Sequence, residues 1–182
     1  DTALLVIAVP AMASRLAAIA VASAVRSSAA TASIYTQAAA MMEYARMARA
    51  PATFANTTGQ LPRVAAGAFD SIVGESAGGL SGQSSGAIPT AWHPKVQPVL
   101  AQAESIYAAS GSVGNPPGNC AEWRALNALA WKLGPRFTLG KHIRIQAMGT
   151  GQSPKFPVLE SVEACPNCKG FLGNVVTLLS PE

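Results

Sequence analysis

Charged side chains make up only 12% of the 182 residues, and aromatic ones only 6%. Nearly half of the chain is apolar, so material for a core is not limiting. That material is unevenly made. Ala dominates the first fifty residues, whereas Trp, Leu, Ile, Val and Phe gather after Trp92. Small residues bury little area each, so the stronger core is expected toward the C-terminus. Long apolar runs are lacking too. A membrane span needs ~20 uninterrupted apolar residues. Arg15 and Arg26 break the region that comes nearest to this, which argues against stable membrane insertion. There are no internal repeats. Cysteine is scarce and odd in number, at three, and this fits poorly with a framework of disulfides alone.

What charge there is leans positive, at +4 net. A mildly positive field is a weak pointer to a polyanionic partner. From Trp131 onward Lys132, Arg136, Lys141, Arg144, Lys155 and Lys169 stand against Glu160, Glu163 and Glu182, so the basic excess lies in the C-terminal half. An ordinary solvated face is the simpler reading of it.

Gly and Pro are absent from Ala11 to Ala50, where Ala, the best helix former, abounds. Residues 1–50 therefore read as a helical lead-in or linker. Ala3 to Val9 with Ala11-Met12-Ala13 is slightly like a signal peptide but has no positive stretch ahead of it. Met41, Met42 and Met47 read as packing residues. Residues 51–182 read as the main domain, clearest over 80–179. Arg63 to Phe69 and Ser71 to Glu75 suggest a hairpin, and residues 77–90 a mobile loop. A helix is expected after His93-Pro94, and another from near Asn119 to Gly134-Pro135. Residues 141–148 alternate, with His142, Arg144 and Gln146 on one side and Ile143, Ile145 and Ala147 on the other, which is strand spacing. A short helix from Cys165 with Gly173 beyond its end, then a strand over Val175 to Leu179, complete the pattern.

Chemistry concentrates in Asn119-Cys120-Ala121-Glu122 and Ala164-Cys165-Pro166-Asn167-Cys168, each at the start of an expected helix. Cys165 and Cys168 are three apart, so they share a helix face and can bind one ion. A helix N-terminus favours an anion, which makes thiols placed there more acidic. Three thiolates with one position left open is a catalytic zinc arrangement, because the open position admits water. Zinc lowers the pKa of bound water from roughly 15.7 toward about 7 in favourable sites. Three thiolates donate more charge than three imidazoles, so the effect here is smaller and a carboxylate is needed to take the proton. Glu122, two residues after Cys120, is placed for that work. The alternatives are a disulfide with one free thiol, or a closed Cys3His structural zinc site completed by His142.

The patterns C-A-E and C-P-N-C, with forty-four residues between Cys120 and Cys165, resemble the zinc-dependent nucleoside and nucleobase deaminases. More narrowly, Trp92-His93-Pro94, Gly118-Asn119-Cys120-Ala121-Glu122, Ala125-Leu126-Asn127 and Ala164-Cys165-Pro166-Asn167-Cys168-Lys169 resemble the YwqJ-like deaminase toxins. That resemblance runs from Leu80 to Leu179, a little over half of the chain. It implies an α/β fold, a three-layer cytidine-deaminase-like sandwich with a central mixed sheet and helices on its faces, preceded by the helical segment. It implies zinc-assisted hydrolytic deamination of a nucleobase, cytosine favoured over adenine, in single-stranded DNA or RNA. It implies Glu122 as proton shuttle and Cys120, Cys165 and Cys168 as zinc ligands. It further implies a secreted or delivered toxin effector acting in a target cell's cytoplasm, with an immunity protein as a possible partner. Deamination of free nucleosides or nucleotides is the rival enzyme reading, and a non-catalytic binding module with structural zinc is the rival outside enzymes. Two features depart from the family. Ala164 stands where many members have Pro, and the sequence stops soon after Val175 to Leu179 where the family's sheet usually has one more strand, so either the sheet is shortened or the end is missing.

For substrate contacts the sequence offers His93, Asn119, Ala121, Trp123, His142 and Arg144. Each has a plainer role beside it. His93 and Asn119 can cap helices, Trp123 can belong to the core, and His142 can lie on the polar side of a strand. Arg144, like Lys141 and Lys169, can be a solvated charge rather than a phosphate ligand.

Overall fold

The computed structural model describes residues 28–82, 84, 86–89, 91–111 and 115–181. Helix α1 spans Ala29–Arg49, followed by a single helical turn, Pro51–Phe54. Strands β1 (Val64–Asp70) and β2 (Glu75–Leu80) form a hairpin. Helices α2 (Gln97–Ala109) and α3 (Ala121–Leu133) come next, then strands β3 (Ile143–Gly149) and β4 (Ser161–Val162). Helix α4 occupies residues 166–175, with a π-wound middle, Cys168–Leu172, and a last turn, Gly173–Val175. Strand β5 is Thr177–Leu178.

The five strands form one sheet in the order β2-β1-β3-β4, with β5 also on β3. The pairs β1–β2, β1–β3 and β3–β4 are antiparallel, while β3–β5 is parallel, so the sheet is mixed as expected. Neighbouring residues of a strand point to opposite faces, and this locates the layers. A Cβ on Gly78 would lie 2.6 Å from the carbonyl oxygen of Ala39 in α1, and a Cβ on Gly79 would lie 2.4 Å from the backbone N of Ala125 in α3. The sheet therefore lies between α1 and α3.

Each face has its own core. Toward α3, Ala66, Ala68, Ile143, Ile145 and Ala147 meet Trp123, Leu126, Leu129 and Leu133. Toward α1, Ala65, Leu80 and Met148 meet Ala40, Met47 and Phe54. Burying a large apolar side chain contributes roughly 1.5–3 kcal/mol, so the α3 face, with its Trp, Leu and Ile, is the stronger of the two. Between α1 and the sheet lies one polar bridge. Ser33 Oγ donates to Gln146 Oε1 at 3.1 Å, Thr36 Oγ1 lies 3.0 Å from the same oxygen, and Gln146 Nε2 donates to Ser161 Oγ at 3.0 Å.

Several expectations change. Residues 29–49, read as a lead-in, are one layer of the fold. Ala32, Ala39 and Ala40 are fully buried, because small side chains let this helix sit almost on the strand backbone. Residues 1–27 of that segment lie outside the described residues. Of the three methionines, Met47 packs while Met41 and Met42 are exposed. The hairpin turns at residues 71–74 instead of 69–71, held by buried Asp70, whose Oδ1 accepts from the N–H of Ile72 (2.8 Å) and of Val73 (3.0 Å). Strand β2 consequently takes residues 77–80 from the expected loop. Helix α2 begins three residues beyond Pro94, with Pro98 in its first turn, and α4 continues through Gly173.

Adding a methyl group at Gly67 or Gly79 must push a helix off the sheet, since the new Cβ would come 1.9 Å from Thr36 O or 2.4 Å from Ala125 N. Gly67→Ala and Gly79→Ala are each expected to destabilise the fold by about 1–3 kcal/mol or more. Gly170→Ala, with nothing within 4 Å of its Cβ, should be neutral or better. Thermal unfolding of the three variants checks this, and a wild-type midpoint for Gly79→Ala would contradict the close packing of α3.

Candidate metal centre and its cavity

Cys120 is the residue that starts α3, in extended conformation (φ −81°, ψ 142°) directly before Ala121. The extended conformation frees its side chain from the helix. Cys165 directly precedes α4, and Cys168 lies in its first turns. The three Sγ atoms all lie within 4.8 Å of one another, and Cys120 Sγ is 3.5 Å from Cys165 Sγ. Zn–S bonds of about 2.3 Å at tetrahedral angles put sulfurs about 3.8 Å apart, so this set needs only small adjustments to hold a zinc ion. No histidine, carboxylate or further thiol joins the cluster among the described residues.

The thiols cannot ionise independently. The hydrogen bond with Cys120 holds the Cys165 thiol well below its ordinary pKa, aided by Cys168 and by nearby backbone N–H groups. The same hydrogen bond pushes Cys120 up, and burial and the Glu122 charge add to this. Cys168 is pushed up by its contacts with the other two thiols and by burial. The three thiols thus hold their protons as a coupled set, and a divalent cation is what would let all three ionise.

Beside the sulfurs opens a cavity of about 370 Å³. Asn119, Cys120, Ala121, Glu122 and Cys165 form one part of its wall. Ala147 and Val162 of the sheet and Phe156 contribute to it, as do Phe54, Arg63, Val64, Ser81 and Ser84. Glu122 is 4% exposed, and burial pushes its carboxyl up to about 7, against the opposing bond from its own N–H. A proton acceptor, a set of soft ligands and a space for a small molecule therefore adjoin.

Two cations hold this frame without entering it. Arg124 is buried, and burial pulls it down to about 10, so it stays charged at neutral pH. Its Nε donates to Gly118 O at 3.1 Å and its Nη1 to Leu80 O at 2.9 Å, which ties the turn before Cys120 to the end of β2. Lys141 Nζ donates to the carbonyls of Gly173 and Val176 at the far end of α4, where a cation suits both the orphan carbonyls and the helix dipole.

Of the residues offered for substrate, Asn119 and Ala121 line the cavity and four do not. His93 is buried 4.9 Å from the Trp131 ring and 5.6 Å from that of Phe137, with Nδ1 accepting from Lys95 N at 3.2 Å. It shapes the turn into α2, and burial lowers its pKa. Trp123 is wholly enclosed in the α3 core. His142 Nε2 lies 3.6 Å from Asp70 Oδ2. Asp70 ends β1 while Val64, at the cavity, begins it, and six residues of strand span about 20 Å. His142 therefore cannot complete a Cys3His set. Arg144 projects from the α1 face of β3, opposite to Ile143 and Ile145, where it pairs across the sheet with Phe69 and Thr177. Lys169 is paired with exposed Glu163. Sequence reasoning passed over Arg63, Ser84 and Arg124, because nothing local marks a residue just ahead of a strand or a loop serine as cavity wall, or a helix arginine as a tie to a distant strand end.

Comparison with known proteins gives no matching family model, and no curated protein or solved structure matches the chain significantly.

Removing Arg124 should loosen the Gly118–Cys120 turn. Arg124→Met is expected to weaken zinc affinity about tenfold, the usual cost of losing a group that orients a metal ligand, as measured by competition with a chelating dye. His142→Ala should leave that affinity unchanged. The reverse pattern would mean that His142 reaches the metal.

Proposed function

We propose that the chain is a zinc-dependent nucleobase deaminase, with cytosine the favoured base. The observation that carries this reading is the triangle of Cys120, Cys165 and Cys168 sulfurs beside a cavity into which Glu122 faces. The volume, about 370 Å³, falls within the usual range for small-molecule sites, roughly 300–1,000 Å³. A sheet between α1 and α3 is also what a cytidine-deaminase-like sandwich requires. The resemblance of C-A-E and C-P-N-C to deaminase motifs supplies the reaction class, and it also underlies the reading as a delivered toxin effector.

Cys120, Cys165 and Cys168 would hold zinc, which when bound supplies Lewis acidity toward water at the position the three thiolates leave open. The protein's own share is proton traffic and positioning. Overall, water replaces the exocyclic amine of the base and ammonia leaves. Glu122 accepts one proton from the attacking water and hands it to the ring nitrogen, then accepts the second from the hydroxyl now on the ring carbon and gives it to the departing amine, so it ends as it began. Burial suits it to this cycle, because a carboxyl that titrates near neutrality both takes and returns protons readily. Asn119 stands beside Cys120 on the wall, where its amide can bond a base edge or sugar. Ala121 keeps that wall small enough for a planar ring to approach Glu122.

Glu122→Gln keeps shape and size but cannot carry the proton. It is expected to retain one zinc per chain and the wild-type melting midpoint while ammonia release from cytosine-containing substrates falls at least a hundredfold, within the usual 10²–10⁴ range for general acid–base groups. Full activity in that variant would sink the reading. Unfolding on loss of any cysteine, with no turnover by the wild type on any nucleobase, would favour a structural zinc module.

A further inference from the structure

Cations are few around the cavity, and this bears on what the base is attached to. Among the described residues that line it, Arg63 is the sole Lys or Arg. The residues that the sequence offered for phosphate are engaged elsewhere: Lys141 with the end of α4, Lys169 with Glu163, and Arg144 on the α1 face of the sheet. Arg63 is exposed, and its guanidinium has neither an ion pair nor a hydrogen-bond partner among the described residues.

Its backbone, by contrast, is pinned. Buried Thr150 donates from Oγ1 to Pro62 O at 2.6 Å and from its N–H to Arg63 O at 3.1 Å. The fixed backbone spares a ligand the cost of ordering this segment, and only the free side chain has to be ordered on binding. A second groove, lined by Gly59, Gln60, Leu61, Arg63 and Gln152, shares Gln60, Leu61 and Arg63 with the cavity and contains no carboxylate. Arg63 thus stands where the two spaces meet. The cavity wall nearby holds an unused polar group as well. Ser84 is 4% exposed, and its hydroxyl has no hydrogen-bond partner among the described residues. A buried hydroxyl left unpaired costs free energy until something bonds to it. Gly82, two residues before Ser84, borders Pro62, so both features belong to one side of the site.

We propose that Arg63 binds a phosphate ester carried by the substrate, so that the site selects nucleotides over free bases and nucleosides. The identity of the base rests on the deaminase reading above; the anion site does not. A guanidinium matches phosphate oxygens with paired N–H donors. The ester can be a mononucleotide or one link of a single strand, in which case the second groove carries the neighbouring nucleotide.

The test uses the full zinc-loaded chain carrying Glu122→Gln, so that ligands are not consumed, with and without Arg63→Ala or Arg63→Lys. Dissociation constants are measured for cytidine, cytidine 5′-monophosphate, cytidine 3′-monophosphate and a single-stranded oligocytidine, and turnover of the same compounds is followed in the parent chain. Arg63→Ala should weaken at least one monophosphate and the oligonucleotide about tenfold or more while changing cytidine less than twofold, and Arg63→Lys should restore part of the loss. A strand as the true ligand would bind more tightly than either monophosphate, and Arg63→Ala would lower its salt slope by about one. Equal effects of Arg63→Ala on nucleoside and nucleotide, or no effect on either, would overturn the proposal, as would a parent chain that prefers cytidine or binds none of the four. Arg63-dependent nucleotide binding without turnover by the parent chain would sink the deaminase reading and leave the anion site standing. Turnover that is indifferent to Arg63 would do the opposite.

Discussion

Three thiol sulfurs within 4.8 Å of one another cannot all carry charge unless a cation lies between them. This constraint governs the site. Without a metal, the contacts among the three thiols push Cys165 down and Cys120 and Cys168 up. A bound zinc ion would remove the conflict, and no histidine, carboxylate or further thiol joins the three sulfurs among the described residues. The buried carboxyl of Glu122 belongs to the same electrostatic problem. Burial raises its pKa, and a nearby dication would pull it back, so metal and acid–base group are tuned together.

The fold exists to bring two distant segments to one point. Cys120 arrives on α3 and the other two ligands on α4, and both helices are fixed to the sheet by unusual means. Strand glycines let α1 and α3 press on the backbone itself, which gives the thin, Ala-rich face a tight fit in place of large side chains. Arg124 ties the turn before Cys120 to the end of β2. Lys141 closes the far end of α4, and the π-wound stretch begins at Cys168 itself. Widened turns of this kind recur at functional sites, where they re-aim a side chain.

The cluster of three cysteines was legible in the sequence because its signal is local: residues two or three apart at the start of helices. Strand β3 and helix α3 were legible for the same reason, through alternation in residues 141–148 and the Gly134-Pro135 stop, whereas the mixed sheet was expected only from the resemblance. What the sequence concealed depends on distant partners. Gly78 and Gly79 look like loop until helices from both sides are known to need their missing side chains. Residues 29–49 look like a linker because Ala promises little burial, yet close approach buries Ala32, Ala39 and Ala40 fully. His142 and Arg144 share a strand face by alternation, but only the register with β1 shows that His142 sits at the end far from the cysteines. His93 and Trp123 sit beside motif residues in sequence and still turn into the core. Arg63 carries no motif at all; the cavity alone marks it.

The most direct test of this picture is X-ray absorption at the zinc edge on the purified, zinc-loaded chain. Three sulfurs at about 2.3 Å with one oxygen at about 2.0 Å would be the signature of three cysteine thiolates and an open position. A fourth protein ligand, whether sulfur or imidazole nitrogen, or a folded and reduced chain that retains no zinc, would contradict it.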